Sequence, residues 1–193
     1  MNLIGIENNH VIGVPIELGE NKVQFKGVGN KLIFGENTQI ENVRIAFEGS
    51  DSIIEFYGFN RLRGAFIVGD KCKISVGRNT IFNKPCRLHA AEYTNIDIGA
   101  ECYFEDVRFR TSDSHSIIDI SIDERVNFAR GIIVGDRVWI AEGVCVYKGG
   151  DIGEGSVVDV GSVVVRSVPA NCLAAGTPAK VMKTNVTWKT KAE

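Results

Sequence analysis

The stretch VGDRVWIAEGVCVYKGGDIGEGSVVDVGSVVVRSVP, residues 134–169, decides the fold. An aliphatic side chain returns at every sixth position, at Val134, Ile140, Val146, Ile152, Val158 and Val164. Small residues often follow these anchors, as at Gly135, Ala141 and Gly153. An amphipathic helix would need apolar spacings of three and four residues, and an ordinary strand alternates with period two. A period of six is typical of a triangular coil with one hexapeptide per side, so the stretch predicts an all-β, left-handed parallel β-helix.

Looser copies of the repeat lie upstream, at 31–37, 73–79 and 95–101. Each has two alternating apolar residues, then a glycine, then two residues of which at least one is charged, and the upstream copies stand roughly twenty residues apart. We therefore predict one β-helix domain over residues 20–180, an N-terminal cap at 1–19 and a C-terminal tail at 181–193. An antiparallel β-sandwich is the alternative, but it does not require a six-residue phase.

Composition excludes several classes of protein. The 193 residues are 44% hydrophobic and 24% charged, with a formal net charge of −2, so no concentrated basic face for nucleic acid is expected. No apolar run has membrane-spanning length, and the first residues do not form a secretory signal. The chain has five cysteines, an odd number, which argues against a disulfide framework. No two of them form a C-x-x-C pair, which argues against a thiolate zinc site. A reducing cytoplasm fits this pattern.

The repeat lapses between Ile98 and Val134, which predicts an extruded loop at about residues 110–130. Loops that leave a rigid scaffold are the usual place for chemistry. His115 lies in this loop between Asp113 and Asp119, so it is a candidate general base with a carboxylate to orient it. The alternative is a surface histidine that is hydrogen-bonded to a neighbouring serine.

No other nucleophile or metal motif competes with this loop. Its serines do not stand in a G-x-S-x-G elbow. The three histidines, His10, His89 and His115, show none of the spacings of a metal site, and no metal is expected.

Four further residues are candidates on their positions alone. His89 either lines an acceptor groove or faces solvent, and Arg110, just before the loop, is suited to an anionic sugar or phosphate. Asn127 follows the loop and can pin its return by side-chain to backbone hydrogen bonds. Trp139 either packs at the edge of a coil or stacks on a substrate.

Two segments, residues 133–141 and the tail at 174–181, resemble the hexapeptide-repeat acyltransferases. The stretch 110–119, with 125–127 after it, resembles the branch that O-acetylates surface polysaccharides and their sugar precursors. The resemblance is good over about residues 70–188 and looser in the upstream coils.

The resemblance implies a homotrimer with an active site in each groove between subunits. It implies acetyl-CoA as co-substrate and His115 as the base acting on a sugar or glycan hydroxyl. The positions it implies for acetyl-CoA are Trp139, Ala141, Asp159, Gly161, Gly176, Thr177, Pro178 and Lys180. Substrate-side positions are His89, Arg110 and Asn127. Two residues depart from the family pattern, since Ala141 replaces a usual glycine and Asp159 stands where a small residue is commoner.

The predicted function is O-acetyl transfer from acetyl-CoA to a hydroxyl of a surface-polysaccharide sugar or its precursor. An N-acetyltransferase acting on an amino nucleotide sugar differs only in the acceptor nucleophile. A non-catalytic β-helix scaffold is a third possibility. A metal-dependent carbonic anhydrase on the same solenoid would need three converging histidines, which the spacing here disfavours.

Overall fold

The computed structural model describes residues 1–190, and they are arranged as strands, turns and loops. In chain order the strands are β1 (Asn2–Ile4), β2 (His10–Ile12), β3 (Ile16–Leu18), β4 (Lys22–Phe25), β5 (Lys31–Phe34), β6 (Gln39–Phe47), β7 (Ile53–Phe56), β8 (Arg61–Val68), β9 (Lys73–Val76), β10 (Ile81–Phe82), β11 (Cys86–Ala90), β12 (Asn95–Ile98), β13 (Tyr103–Phe104), β14 (Arg108–Arg110), β15 (Ile118–Asp119), β16 (Glu124–Arg125), β17 (Ile132–Val134), β18 (Trp139–Ile140), β19 (Cys145–Tyr147), β20 (Val157–Val158), β21 (Val163–Val164), β22 (Cys172–Gly176) and β23 (Ala179–Thr184). None of the described residues forms a helix, so no helical segment there could cross a membrane.

Three faces of parallel strands form a triangular prism, and the predicted left-handed parallel β-helix is confirmed. The first face is the sheet β2-β5-β7-β9-β12-β17. The second face carries β3, β10, β13, β18, β20 and β22, and the third face carries β1, β4, β11, β14, β19 and β21. Strands β6 and β8 run around the corner between the second and third faces and join them into one hydrogen-bonded sheet.

The coils shorten along the chain. In the N-terminal part Lys31 pairs with Ile53, 22 positions further on. In the C-terminal part Trp139 pairs with Val157, 18 positions further on, which is three hexapeptides. The extra residues upstream are accommodated at the corners, as the looser spacing of the upstream copies predicts.

Phenylalanines fill the wider coils. The rings of Phe34, Phe56, Phe66, Phe82, Phe104 and Phe109 form a column with centroids 5.2 to 5.6 Å apart. Most of these contacts are edge-to-face or tilted, the arrangements that aromatic rings prefer. Where the hexapeptide repeat is regular, valine and isoleucine replace phenylalanine in the narrower prism. The core is therefore continuous, but its filling changes with the length of the coil.

Close approach of the coils requires glycine at the corner where β8 bends. Gly64 has a φ of 106°, and a Cβ there would lie 2.0 Å from the carbonyl oxygen of Cys86. No other residue fits this position without moving the backbone of the next coil.

The cysteines are mostly packing residues of the core. All five are free thiols, and four of them are buried. Burial raises the pKa of Cys86 and of Cys102 to about 12, so both remain protonated at neutral pH.

Both ends of the prism differ from a plain coil. Residues 1–19, for which a cap is predicted, contain β1, β2 and β3, which pair in parallel with β4, β5 and β6 as one further coil. At the other end β23 folds back antiparallel on β22. Residues 191–193 of the predicted tail lie outside the described residues, and the bounds of the three predicted segments stay predictions.

Candidate active site

A loop leaves the solenoid after β14 and returns before β17. Its size is clear from the register, because Tyr103 pairs with Trp139, 36 positions further on, where a coil of the regular repeat takes 18. Thr111 fixes the base of the loop, since its hydroxyl accepts a hydrogen bond from the Ala91 amide at 2.9 Å and its carbonyl accepts one from the Arg130 amide at 3.0 Å. Within the loop β15 and β16 form a short antiparallel hairpin. The loop predicted at about 110–130 is therefore present and ordered by its own contacts.

Asn127 is the centre of those contacts. Its side chain is 8% exposed. Its Nδ2 donates to the carbonyl oxygen of His115 and to Oδ2 of Asp113, both at 2.8 Å, and its Oδ1 accepts from the Ile117 amide at 2.7 Å. One amide group thus holds both sides of the His115 turn, as predicted for the pinning role of Asn127. Its amide is occupied inside the loop rather than offered to a substrate.

A second set of contacts ties the loop to the coil beneath it. The Ser112 hydroxyl donates to Glu92, and Arg125 forms an ion pair with the same carboxylate at 2.7 Å. Arg125 and Ser112 hold the pKa of Glu92 below its usual range. Glu92 follows β11 by two residues, so it anchors a loop that begins twenty residues later in the chain.

The two carboxylates predicted to flank the base are bonded elsewhere. Asp113 accepts from Lys148 Nζ at 2.5 Å and from Asn127, and these two donors hold its pKa below the usual range. Asp119 accepts from the amide and hydroxyl of Ser121, at 2.9 and 2.5 Å, which lowers its pKa in the same way. Asp113 therefore joins the loop to the coil, and Asp119 closes the turn between β15 and β16.

His115 is exposed at the tip of the pinned turn. Its backbone carbonyl is held by Asn127, while its imidazole makes no hydrogen bond to any of residues 1–190. The neighbouring Ser114 has a φ of 67°, and its hydroxyl accepts from Arg110 at 2.9 Å. The alternative, a hydrogen bond from His115 to a neighbouring serine, is not seen among the described residues, and both ring nitrogens are exposed.

A groove of about 800 Å³ runs from this turn across the third face. Ser114, Arg110 and His89 line it at the loop end, and Asp106 and Pro85 line it at the corner with the second face. His89 is half-buried, and burial, with Arg110 and Arg87 nearby, lowers its pKa. His89 and Arg110, two of the predicted substrate-side residues, thus meet in one groove beside the His115 loop.

Three positions predicted for acetyl-CoA, Ala141, Asp159 and Gly161, lie at the corner between the second and third faces in the C-terminal coils. Ile140, Val158 and Ala174 pair in register on the second face, so the residues that directly follow them, at positions 141, 159 and 175, stand in line on successive coils. The backbone amides of Ala141 and Asp159 are already engaged between coils. They donate hydrogen bonds to the carbonyl oxygens of Val158 and Ala174 at 3.0 and 2.9 Å, respectively. Gly161 has a φ of 66°, and a Cβ there would meet nothing within 4 Å, so this corner is open. The Asp159 carboxylate accepts from the Val160 amide at 2.8 Å and is folded back on its own turn.

The β22–β23 hairpin carries the remaining predicted positions. The Gly176 amide donates to the Ser162 hydroxyl at 3.0 Å, and the Thr177–Pro178 peptide bond is cis. Lys180 lies on β23, where it pairs with Ala175 of β22, and it is exposed. No hydrogen bond or ion pair among residues 1–190 joins this corner to the His115 loop.

Trp139 is partly covered by the C-terminal tail. The rings of Trp139 and Tyr103 each lie 6.2 Å from that of Trp188, whose Nε1 donates to the Arg137 carbonyl at 2.7 Å. Trp139 therefore packs at the edge of the coils.

Sequence reasoning missed Lys148 and Glu92 as anchors of the loop. Neither has a local signal, because both contact the loop only after the chain has wound through a coil. It also missed Arg44 and Arg87, which line the groove on the third face.

Comparison with known proteins places this geometry in a family, although no protein-family model matches the chain. The polysialic acid O-acetyltransferase of Escherichia coli O1:K1 / APEC is 35% identical over 185 residues, which is 95% of this chain and 60% of that protein. The putative lipopolysaccharide biosynthesis O-acetyl transferase WbbJ of Escherichia coli K12 is 43% identical over 105 residues, 50% of this chain and 54% of that protein. The crystal structure of the polySia specific acetyltransferase NeuO superposes with a TM-score of 0.91 and 33% identity, over 100% of this chain and 89% of that one.

The chain belongs to the hexapeptide-repeat acyltransferases, the enzymes that are built on a left-handed β-helix. Within that family it falls in the sugar O-acetyltransferase branch, as the loop and the tail predict. The chain spans about 60% of the length of the first of these relatives and 54% of the second.

Proposed function

We propose that the protein transfers an acetyl group from acetyl-CoA to a sugar hydroxyl of a polysaccharide or its precursor, with His115 as general base. The observation that carries the proposal is the His115 turn, in which the backbone is fixed by Asn127 and the imidazole is exposed and without a hydrogen-bond partner in the described chain. A fixed backbone with an open ring is the arrangement a base needs to meet a bound hydroxyl.

The reaction balances with this single residue. The imidazole takes the proton of the acceptor hydroxyl. At the same time the oxygen of that hydroxyl attacks the thioester carbonyl carbon, and a C–O bond forms. The C–S bond then breaks, and the imidazolium returns the proton to the sulfur of the leaving thiol. No covalent enzyme intermediate is needed, because a thioester is already an activated acyl donor.

Asp113 and Asp119 act on this base through the backbone in our proposal. Asp113 is a positioning residue, since it links Asn127 to Lys148 of the coil. Asp119 fixes the turn that returns the loop. Asn127 is likewise a positioning residue.

Acetyl-CoA is proposed to lie along the corner formed by Ala141, Asp159 and Gly161. The open space at Gly161 supports this placement, and the Asp159 carboxylate is turned toward its own backbone rather than across the corner. Gly176, Thr177 and Pro178 form the turn at the end of that corner, with Lys180 exposed for a phosphate. Trp139 borders this path on the second face.

We also propose a homotrimer whose sites lie between subunits. The loop exposes six apolar side chains in the single chain, Ile117, Ile118, Ile120, Ile122, Val126 and Phe128. So many exposed apolar side chains on one loop support a protein contact there. A second subunit would also bring an acetyl-CoA corner to the His115 loop, which the single chain leaves unconnected. The mass in solution, measured by light scattering, tests the trimer.

A cytoplasmic location follows from the same proposal. The reaction needs acetyl-CoA, and all five cysteines are free thiols.

The function is tested by thiol release from acetyl-CoA with polysialic acid, a neutral polysaccharide and an amino nucleotide sugar as acceptors. We expect release with a hydroxyl acceptor and a loss of about 10²- to 10⁴-fold in His115→Gln. His10→Gln, an exposed histidine of the first coil, is the matched control and should keep wild-type turnover.

Transfer to the amino group alone would replace O-acetylation with the N-acetyl alternative. A His115→Gln protein of wild-type mass that keeps full turnover would rule out the base assignment.

A further inference from the structure

One carboxylate of the coils, that of Glu92, reaches both sides of the His115 turn. Its Oε1 accepts a hydrogen bond from the Ser112 hydroxyl, and its Oε2 forms the ion pair with Nη1 of Arg125 at 2.7 Å. Ser112 precedes His115 in the loop and Arg125 follows it, so the two partners of Glu92 lie on the outgoing and the returning branch of the loop. The reaction proposed above does not use Glu92.

The contacts of Ser112 lead to the residue directly before the base. The Ser112 hydroxyl donates its proton to Glu92, and the same oxygen accepts from the Ser114 amide at 3.0 Å. Ser114 has a φ of 67°, a conformation that residues other than glycine seldom adopt. This Ser112 arm therefore holds the backbone on the N-terminal side of His115 in a left-handed turn.

The contacts of Arg125 lead to the carbonyl group of the base. Nε of Arg125 donates to Oδ1 of Asn127 at 3.2 Å, and Nη2 donates to the Asn127 carbonyl oxygen at 3.3 Å. The guanidinium carbon also lies 5.5 Å from the centroid of the Phe128 ring, which limits its orientation. Asn127 in turn donates to the carbonyl oxygen of His115 at 2.8 Å. This Arg125 arm therefore joins Glu92 to the amide that pins the turn on its C-terminal side.

The backbone at Glu92 is itself held in an uncommon conformation. Glu92 and Tyr93 have φ values of 55° and 62°, and within residues 1–190 they are the only two adjacent residues other than glycine that are both left-handed. The Thr94 hydroxyl closes this turn by donating to the Ala91 carbonyl oxygen at 2.6 Å. Strained backbone of this kind is concentrated at functional sites. Here the strained turn presents a carboxylate to the loop.

We propose that Glu92 is a positioning residue for the base. Its two oxygens hold the Ser112 arm and the Arg125 arm, and together these arms fix the backbone on both sides of His115. The proposal rests on the proposed function, and it makes the rate depend on a residue outside the loop. A carboxylate suits this place because its two oxygens accept from two donors at once, and because hydrogen bonds to a charged acceptor are stronger than those to a neutral one.

The first test compares Glu92→Gln with a variant of a glutamate that pairs with an arginine elsewhere. Glutamine keeps the shape of the side chain, but it has one accepting oxygen and no charge, so it cannot hold both arms. We expect kcat for acetyl transfer to fall roughly 10- to 10²-fold, with KM for acetyl-CoA unchanged. Glu36→Gln is the matched control, since Glu36 lies in an upstream coil and pairs with Arg78, and it should keep wild-type kinetics.

A double-mutant cycle tests whether the two arms act through Glu92. Ser112→Ala and Arg125→Gln each remove one arm, and each should lower kcat with KM for acetyl-CoA unchanged. When either change is combined with Glu92→Gln, the loss should be clearly smaller than the product of the two single losses, because the arms depend on the carboxylate that has been removed. Losses that multiply would show that the arms position the base without Glu92 and would overturn the proposal.

Hydrogen exchange separates a failure of this role from a failure of the proposed function. In Glu92→Gln the amides of residues 113–117 should exchange faster than in wild type, whereas those of β11 and β14 should exchange at the wild-type rate. Unchanged exchange in the loop or an unchanged kcat would overturn the positioning role. A loss confined to KM for the acceptor would also overturn it, because Glu92 would then contact the acceptor itself. If the loop amides respond to Glu92→Gln while His115→Gln keeps full turnover, Glu92 fixes the turn and the base assignment is wrong.

Discussion

Each strand of the coils between Lys22 and Val164 is hydrogen-bonded to a strand of the coil before or after it, whereas the loop at residues 111–131 has one short hairpin of its own and is tied to the coils largely by side chains. The coils bury a continuous apolar column. The loop buries little apolar surface and is held by Asn127, Ser112 and the ion pairs of Arg125 and Lys148. The coils therefore supply stability, and the loop supplies a fixed position for one imidazole.

This division makes the two regions separable by mutation. Removal of a core ring should affect unfolding, because the coils are packed too tightly to close a void. Removal of a loop contact should affect catalysis more than unfolding, because water replaces most of what is lost at the surface.

The largest effect is expected from Phe82→Ala. Phe82 is fully buried between the rings of Phe66 and Phe104, so its removal should lower the free energy of unfolding by about 3–5 kcal/mol. The measurement is urea unfolding followed by circular dichroism. Ser116→Ala, an exposed loop residue without a side-chain hydrogen bond in the described chain, should change that free energy by less than about 0.5 kcal/mol. Similar shifts for the two variants would contradict the division between coils and loop.

Asn127→Ala should have a smaller effect on stability and a large one on turnover. The loss of its hydrogen bonds frees the His115 turn and is expected to cost about 1–2 kcal/mol in unfolding. A displacement of the base by an ångström lowers the rate by roughly 10²-fold. Hydrogen exchange should show faster exchange in residues 112–127 and unchanged exchange in β11 and β14. If turnover survives while the loop amides exchange freely, Asn127 does not position the base.

The sequence predicted the coils better than it predicted the contacts of the loop. The anchors from Val134 to Val164 identify the fold because an inward-pointing residue recurs at a fixed interval. The pinning role of Asn127 was predictable, since it concerns a turn close to it in sequence. The partner of Asp113 was not, because Lys148 lies 35 residues away and meets it only after the loop has closed.

The alignment of Arg44, Arg87 and Arg108 on the third face was hidden for a related reason. Arg44, Arg87 and Arg108 share one position only when the register is known, and the upstream coils vary in length. An irregular corner shifts the count by one or two residues, which turns a side chain from the outside of a strand to the inside. Periodicity alone therefore could not place these arginines on one line.

Lys148→Met tests the link between coil and loop. It should lower the free energy of unfolding by less than about 1 kcal/mol, because the ion pair of Lys148 with Asp113 is partly exposed. The pKa of Asp113 is lowered when folded, so its contribution is present above the unfolded value near 3.8 and is lost as the pH falls through the folded pKa. Without Lys148 the folded pKa of Asp113 should lie closer to the unfolded value, so the contribution should be smaller and its loss should be complete at a higher pH. The loss is measured by hydrogen exchange of the loop between pH 3 and 5, a range on the order of one unit on either side of the unfolded pKa of Asp113. Lys148→Arg keeps the charge and should follow the wild type.

The smallest effect is expected at His89, on a strand of the coils. Burial lowers the pKa of His89 below its usual 6.5, so the unfolded chain binds a proton at a pH where the folded chain does not. Stability should therefore fall as the pH drops below about 6.5, by less than about 1 kcal/mol for this group. His89→Gln should flatten the pH dependence of the urea midpoint between pH 7 and 5, roughly the range in which histidine titrates. His10→Gln controls for the loss of a histidine outside the groove. If the urea midpoint of His89→Gln depends on pH as steeply as that of wild type, burial of His89 on the third face does not govern the pH dependence of stability.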